Sequence, residues 1–237
     1  DLSHSNLIET NFSGLEIVNV NFANTIMSKS NLTNITMSGG SFENAKLDKI
    51  NLSNSNLQEV NFRGANLSEG NLKNFEYMNS DAKEASFVGA DLTGSTFKGV
   101  GLAKTDFSNA NLFESDLSGI NLADAILKNV NFENAKLTGT SFLKAKLMGS
   151  TLKGADLTNA NLKDADLTNA DLTGATLDNI TLVNAILVGA QLPGADLQKA
   201  VLKETKWSGA NLKDVNLSGA DLTNADLTGA TLDNITL

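Results

Sequence analysis

The sequence predicts a repeat fold in which the chain turns every five residues around one narrow apolar core. Three observations predict it. Stepping by five from Leu2 to Leu237 visits 48 positions, of which 47 carry Leu, Phe, Ile, Met, Tyr or Trp and only Ala82 is small. The residue two before each of these centres is Ala, Ser, Thr, Gly or Val in 40 of 47 cases, and the residue two after is Gly or Asn in 32 of 47. A period of five matches neither the 3.6-residue turn of an α-helix nor the alternation of one flat strand, so a turn must recur in every unit.

Each position of the unit then has a physical role. The centre is a large inward side chain, and the residue two before it is a second, smaller inward one. Gly and Asn tolerate positive φ best, which marks the residue two after the centre as the corner of a tight turn. The two remaining positions are mostly Asn, Asp, Ser, Thr and Lys, as suits a solvated outer wall.

Units such as Ala155-Asp156-Leu157-Thr158-Asn159 and Ala165-Asp166-Leu167-Thr168-Asn169 resemble the A(D/N)LXX signature of the pentapeptide-repeat family, in one register along the whole chain. The resemblance implies an all-β fold, a right-handed quadrilateral parallel β-helix (solenoid) with four pentapeptides per 20-residue coil. With about 12 coils at ~4.8 Å per rung, the rod would be roughly 57 Å long. Residues 1–237 read as a single domain of this kind. The chain begins at Asp1 and neither end carries a cap, so it is expected to be a fragment trimmed of its ends. The stretch ADLTNADLTGATLDNITL occurs twice, at 165–182 and 220–237, with the copies eleven pentapeptides apart. That offset is not a whole number of coils, so the copies face different directions and read as a duplication, not as a site used twice.

Charge tests the coil independently, because residues 20 apart should stack on successive rungs. Of the charged pairs at that separation, 13 are opposite in sign, two are basic and none is acidic; at separation 10, four are opposite and 11 alike. One corner carries an uninterrupted ladder of Glu84, Lys104, Asp124, Lys144 and Asp164. Exposed pairs of this sort contribute about 0–1 kcal/mol each, so the ladder is expected to set register more than stability.

A few positions break the pattern. Phe22, Phe42 and Phe62 share a column whose next member is Ala82, and Phe75 or Tyr77 is expected to fill the space that Ala82 leaves. Leu15 is oversized for its small slot and Trp207 is the one Trp among the centres; all are expected in the core. Asn11, Asn31, Asn51, Asn71, Asp91, Asn111 and Asn131 form an outer column that could bond along the rod, with ordinary repeat positions as the favoured reading.

Composition excludes most chemistry. With no Cys and His4 alone, disulfides, zinc sites, thiol catalysis and imidazole relays lack their parts. A net charge of −9 argues against binding a phosphate backbone. No apolar run approaches the ~20 residues of a membrane span, and Asp1 to Thr10 do not resemble a signal peptide. No acid has another acid on the rung above, so the paired carboxylates of polysaccharide-cleaving β-helices are missing. Catalytic residues, cofactors and metal ligands are therefore all expected to be absent.

What remains is the outer surface. The walls around Phe12 and Ile17 carry 13 acids and 6 bases, and those around Leu2 and Leu7 carry 14 and 12. The Leu7 wall is electrically neutral and holds seven of the 13 outward large apolar residues: Ile8, Ile26, Val88, Ile126, Met148, Ile186 and Val188. Exposed apolar clusters mark partner surfaces, so these seven are the candidate partner surface. The expected function is a non-enzymatic scaffold or protein-interaction module. Its partner is a protein, with no direct nucleic-acid binding and no membrane span, and self-association through ends or walls is open to it. The resemblance also implies an alternative, since one branch of the family consists of acidic rods that mimic B-DNA and bind type II topoisomerases, giving quinolone resistance. Members of that branch are capped dimers with loops breaking the repeat, and this chain shows neither.

Overall fold

In a unit with a closed turn and an Asn or Asp before its centre, every backbone amide has a destination, and together these destinations define the architecture. The computed structural model describes residues Asp1–Leu237. In the unit Asp171–Ala175, the Asp171 amide donates back to the Ser150 carbonyl at 2.9 Å, while Leu172 and Gly174 donate forward to Gln191 and Pro193 at 2.7 and 3.0 Å. The Ala175 amide closes the turn onto the Leu172 carbonyl at 3.0 Å. The fifth amide, on Thr173, donates to Asp171 Oδ1 at 3.1 Å. Only a residue with a short side-chain acceptor can cap the turn in this way, which explains Asn and Asp before the centre.

The result is an all-β parallel solenoid without helices. Residues pair with those 20 later along the whole chain, from Asn6 with Ile26 to Asn216 with Thr236. Five three-residue strands, β1 (Glu16–Val18), β2 (Thr36–Ser38), β3 (Asn56–Gln58), β4 (Glu76–Met78) and β5 (Thr96–Lys98), form one parallel sheet in the order β1-β2-β3-β4-β5. They share the same 20-residue register, Ile17 opposite Met37 and Tyr77 opposite Phe97.

The corners behave as the spacing demands. Every residue two after a centre has positive φ, from His4 at 60° to Asn234 at 55°, including Glu, Lys and Asp as well as Gly and Asn. This is the backbone of the third residue in a type II turn. On the Ile17 wall, up to residue 100, the corner opens. Val20, Gly40 and Val100 do not close onto the preceding centre, and the chain there is extended enough to count as β1 to β5.

The core is one contiguous stack of 68 buried apolar residues that includes every centre from Ile17 to Leu217. Phe22 lies on Phe42 with ring centroids 4.8 Å apart, and Phe42 on Phe62 at 4.9 Å, both nearly parallel. Tyr77, not Phe75, continues that column: its ring meets Phe62 edge-on at 5.4 Å, and its hydroxyl shares its one proton between the carbonyls of Val60 and Asp81, at 2.8 and 3.0 Å. Burial pushes the Tyr77 phenol well above its ordinary pKa. Trp207 is buried, with its indole N–H on the Thr205 hydroxyl at 2.6 Å. Leu15 departs from expectation. It is 48% exposed, in the first of the coils described.

Candidate partner surface

The outer wall is built by the residues on either side of each centre, so its chemistry follows from which side chains the register superimposes. No group of three or more His, Cys, Asp or Glu is placed to hold a metal ion, and no helix is long and apolar enough to cross a membrane. Three shallow grooves mark the surface. The largest, about 500 Å³, runs beside the open corners and is lined by Glu59, Val60, Asn61, Asn79, Ser80, Asp81 and Gly99.

The charges meet differently from the sequence expectation. Of the 13 opposite-sign pairs at separation 20, only Lys29–Glu9 at 3.2 Å and Lys49–Glu69 at 3.3 Å come within ion-pair distance. The ladder from Glu84 to Asp164 forms no internal ion pair; Glu84 instead meets its neighbour Lys83 at 3.9 Å. The dominant pattern is diagonal, two positions short of a full coil: Arg63–Asp81, Lys73–Asp91, Lys153–Asp171 and Lys203–Asp221, at 3.8, 3.2, 3.1 and 3.0 Å. A base just after one centre reaches across the rung gap to an acid just before the next centre in the column. Most corner charges of opposite sign miss one another, with Lys29–Glu9 and Lys49–Glu69 as the two that meet.

These acids are turn caps as well as ion-pair partners. Burial raises the Asp171 pKa, but the Thr173 hydroxyl and amide, with Lys153, outweigh it and hold the carboxyl below its ordinary value. Asp91 is depressed in the same way by Thr93 and Lys73. At half-exposed Asp221, the Thr223 hydroxyl and amide, with Lys203, lower the pKa to about 2. The Asn column is mostly occupied with the same capping: Asn31 and Asn51 accept from the amides two residues on. Asn131 does bond along the rod, donating to Asn111 at 2.8 Å.

On the Leu7 wall, Ile8 and Met148 are exposed, at 47% and 39%. Ile26, Val88, Ile126, Ile186 and Val188 are half-buried. Ile186 pairs with Asp166 on one side and Lys206 on the other, and it borders a groove of about 400 Å³ rimmed by Glu204, Lys206 and Asp226. Ile126 pairs with Lys146, whose neighbour Met148 stands beside it on the next rung. Apart from the terminal Leu237, the most exposed large apolar residue is Val18 at 57%, on the Ile17 wall outside the predicted set. Its place beside a centre, next to an open corner, is the signal that composition by wall passed over.

The family model for pentapeptide repeats matches residues 1–34, 96–129, 115–154, 125–164, 165–203 and 195–234, and that for a pentapeptide repeat region matches residues 38–107. Among solved structures, the chain is 32% identical to HetL from the cyanobacterium Nostoc sp., a pentapeptide repeat protein involved in heterocyst differentiation regulation. That match covers 96% of this chain and 89% of HetL, with a TM-score of 0.33. It is 32% identical to a pentapeptide repeat protein of the Arabidopsis thaliana thylakoid lumen over 49% of this chain and 68% of the other, with a TM-score of 0.15. With QnrB1, a plasmid-mediated fluoroquinolone resistance protein, it shares the fold at 16% identity and a TM-score of 0.50, covering 89% of this chain and 92% of the other. No curated protein matches the chain. With its family matches running from residue 1 to 234 over a solenoid whose turns are capped mainly by Asn and Asp, the chain belongs to the pentapeptide-repeat family.

Proposed function

We propose that the chain is a non-enzymatic interaction module, a rigid rod that presents its Leu7 wall to a protein partner. In this reading residues 1–237 form a single right-handed quadrilateral β-helix of about 12 four-sided coils spaced ~4.8 Å apart. The 20-residue register and a positive-φ corner at every fifth residue support that shape. The observation that carries the functional reading is the half-exposed pair Ile186 and Val188 on a wall of balanced charge, beside a groove of about 400 Å³. Such a surface offers apolar contact area with a polar rim, the composition of a protein interface. Replacing Ile186 and Val188 with Ser leaves the melting curve intact and abolishes capture of the partner; unchanged capture would overturn the assignment of this wall.

The excess of acids on the Phe12 and Ile17 walls favours a second reading, a DNA mimic acting on a type II topoisomerase. Pairing weakens it. All three bases of the Phe12 wall, Lys73, Lys153 and Lys213, sit within 4.0 Å of an acid, so bases interrupt the acids along that wall and dilute a DNA-like field. Gyrase supercoiling unchanged by micromolar protein at low salt would remove this reading.

A further inference from the structure

Just before the centres of the Leu7 wall, the 20-residue pairing stacks Asp106, Ile126, Lys146, Asp166, Ile186 and Lys206 on successive rungs. The order acid, apolar, base repeats twice. Read in the opposite direction the column is its own complement. Two copies laid face to face with antiparallel axes, about a two-fold axis between Lys146 and Asp166, bring Ile126 opposite Ile186, Lys146 opposite Asp166 and Asp106 opposite Lys206. We propose that the Leu7 wall docks onto a second copy of this chain in that antiparallel register. This rests on reading the wall as a partner surface and names the partner.

Three further observations favour the second copy. First, the charges involved are unspent. Lys146 and Lys206 are exposed, and neither they nor Asp106 and Asp166 take part in any of the chain's eight ion pairs. Asp106 and Asp166 each use Oδ1 to cap their own turn, on Ser108 and Thr168, which leaves Oδ2 without a partner. Second, the same two-fold axis matches the neighbouring corner, where the ladder residues form no ion pair with one another and Asp164 accepts only from the Asn184 side-chain amide, at 3.0 Å. Lys104 falls opposite Glu204, Lys144 opposite Asp164, and Asp124 opposite Asn184. Sliding one copy so that Ile186 meets Ile186 keeps the column complementary but sets Asp164 against Glu204, so the corner selects one register. Third, the far side of the wall offers no like charges to clash. Its corner carries only Asn and Gly from Asn109 to Gly209, and Lys128, the one charge just after a centre, falls opposite Val188.

The contact is small. Six rungs at ~4.8 Å and a wall a few residues wide give a footprint on the order of 400 Å² per copy, about half that of a stable complex. The association is therefore weak, concentration-dependent and, with ion pairs on both sides of the axis, steeply weakened by salt.

Sedimentation of the purified chain from about 10 µM to 1 mM at low salt tests this, a range suited to an interface of this size. The parent chain dimerises. Lys146→Glu and Asp166→Lys each weaken dimerisation by about 10-fold or more, since each sets like charges against one another twice. The decisive arm mixes the two variants. Their heterodimer places the new carboxylate at position 146 of one copy against the new ammonium at position 166 of the other and keeps the native pair on the far side, so association returns to the parent level. Both positions are on the surface, and unchanged circular dichroism shows that the folds are equal; Asp166→Lys also gives up the cap on Thr168, so its melting temperature falls modestly while its fold, with Lys already at the same place in the unit at 146 and 206, is kept. A parent chain that stays monomeric, variants that dimerise like the parent, or a mixture that stays as weak as its components would each overturn the proposal. Loss of partner capture on replacing Ile186 and Val188, with the parent monomeric, would leave the wall as a surface for a different protein and remove only the self-docking.

Discussion

The Tyr77 hydroxyl donates to the backbone carbonyl of Asp81 at 3.0 Å, which anchors a ring from one wall in the space left by the small centre of the next, Ala82. Tyr77 and Ala82 are both fully buried. The two form one packing unit, and their substitutions are predicted to couple. Tyr77→Leu alone loses ring volume and the hydrogen bond shared by the Val60 and Asp81 carbonyls, at a cost of about 2–4 kcal/mol. Ala82→Phe alone overfills the column beside Tyr77, at about 1–3 kcal/mol. The double variant recovers most of both losses, and a double-mutant cycle in denaturant measures the coupling.

Adjacent rungs offer a test of hydrogen bonding in the small inward slot. Ser115 donates its hydroxyl to the Leu112 carbonyl at 2.7 Å, whereas the buried Ser95 hydroxyl, one rung earlier, has no partner. Ser115→Ala is predicted to cost about 1 kcal/mol and Ser95→Ala to be neutral or stabilising, since an unpaired buried hydroxyl carries its desolvation penalty without return. Equal losses at the two sites in urea melts would contradict this.

The corners separate backbone strain from packing. At Gly139, φ is +66° and a Cβ would meet nothing, so Gly139→Ala costs the left-handed backbone alone, about 1–2 kcal/mol. At Gly40, φ is +101° and a Cβ would fall 2.3 Å from the Val20 carbonyl oxygen, so Gly40→Ala costs more, above about 2 kcal/mol. In the opposite sense, Glu114 already holds φ of 55°, and Glu114→Asn gains about 0.5–1 kcal/mol. In thermal melts Gly40→Ala is the least stable of the three, Gly139→Ala intermediate and Glu114→Asn the most stable.

Acid should unfold the rod through its turn caps. Asp91, Asp156, Asp171 and Asp226 are held below the ordinary carboxylate value, and Asp221 at about 2. A folded pKa below the unfolded one means that the unfolded chain binds protons first. Stability is therefore full above about pH 5 and falls as pH drops from about 4 toward 2. Asp171→Asn keeps the Oδ1 acceptor and removes the titration, so its stability at pH 7 relative to pH 3 changes less than the parent's in denaturant titrations at the two pH values.

The five-residue unit was legible because each of its positions answers to a separate steric or solvation demand, and those demands leave marks in composition. The corner is the clearest case. Glu59, Lys104 and Asp164 adopt the same positive φ as the Gly and Asn corners from which it was inferred. The ion pairs were not legible, because stacking at separation 20 says nothing about where long side chains reach. Lys153 finds Asp171, and not the residue stacked directly on it, because the two flank their centres on opposite sides. The open corners of the Ile17 wall were also hidden, since Val20 and Val100 there look no different in sequence from Val130 and Val215 at closed turns. Leu15 was misread because the slot rule averages over all coils, and Leu15 lies in the first of those described.

The absence of native cysteine makes the central claim directly measurable, since one introduced thiol reports on one wall. The rate of alkylation of Val188→Cys on the Leu7 wall and of Val18→Cys on the Ile17 wall is measured with and without the captured partner. Protection of position 188 with position 18 still reactive is the predicted result. Protection of position 18 with position 188 unchanged would contradict the assignment of the Leu7 wall as the partner surface.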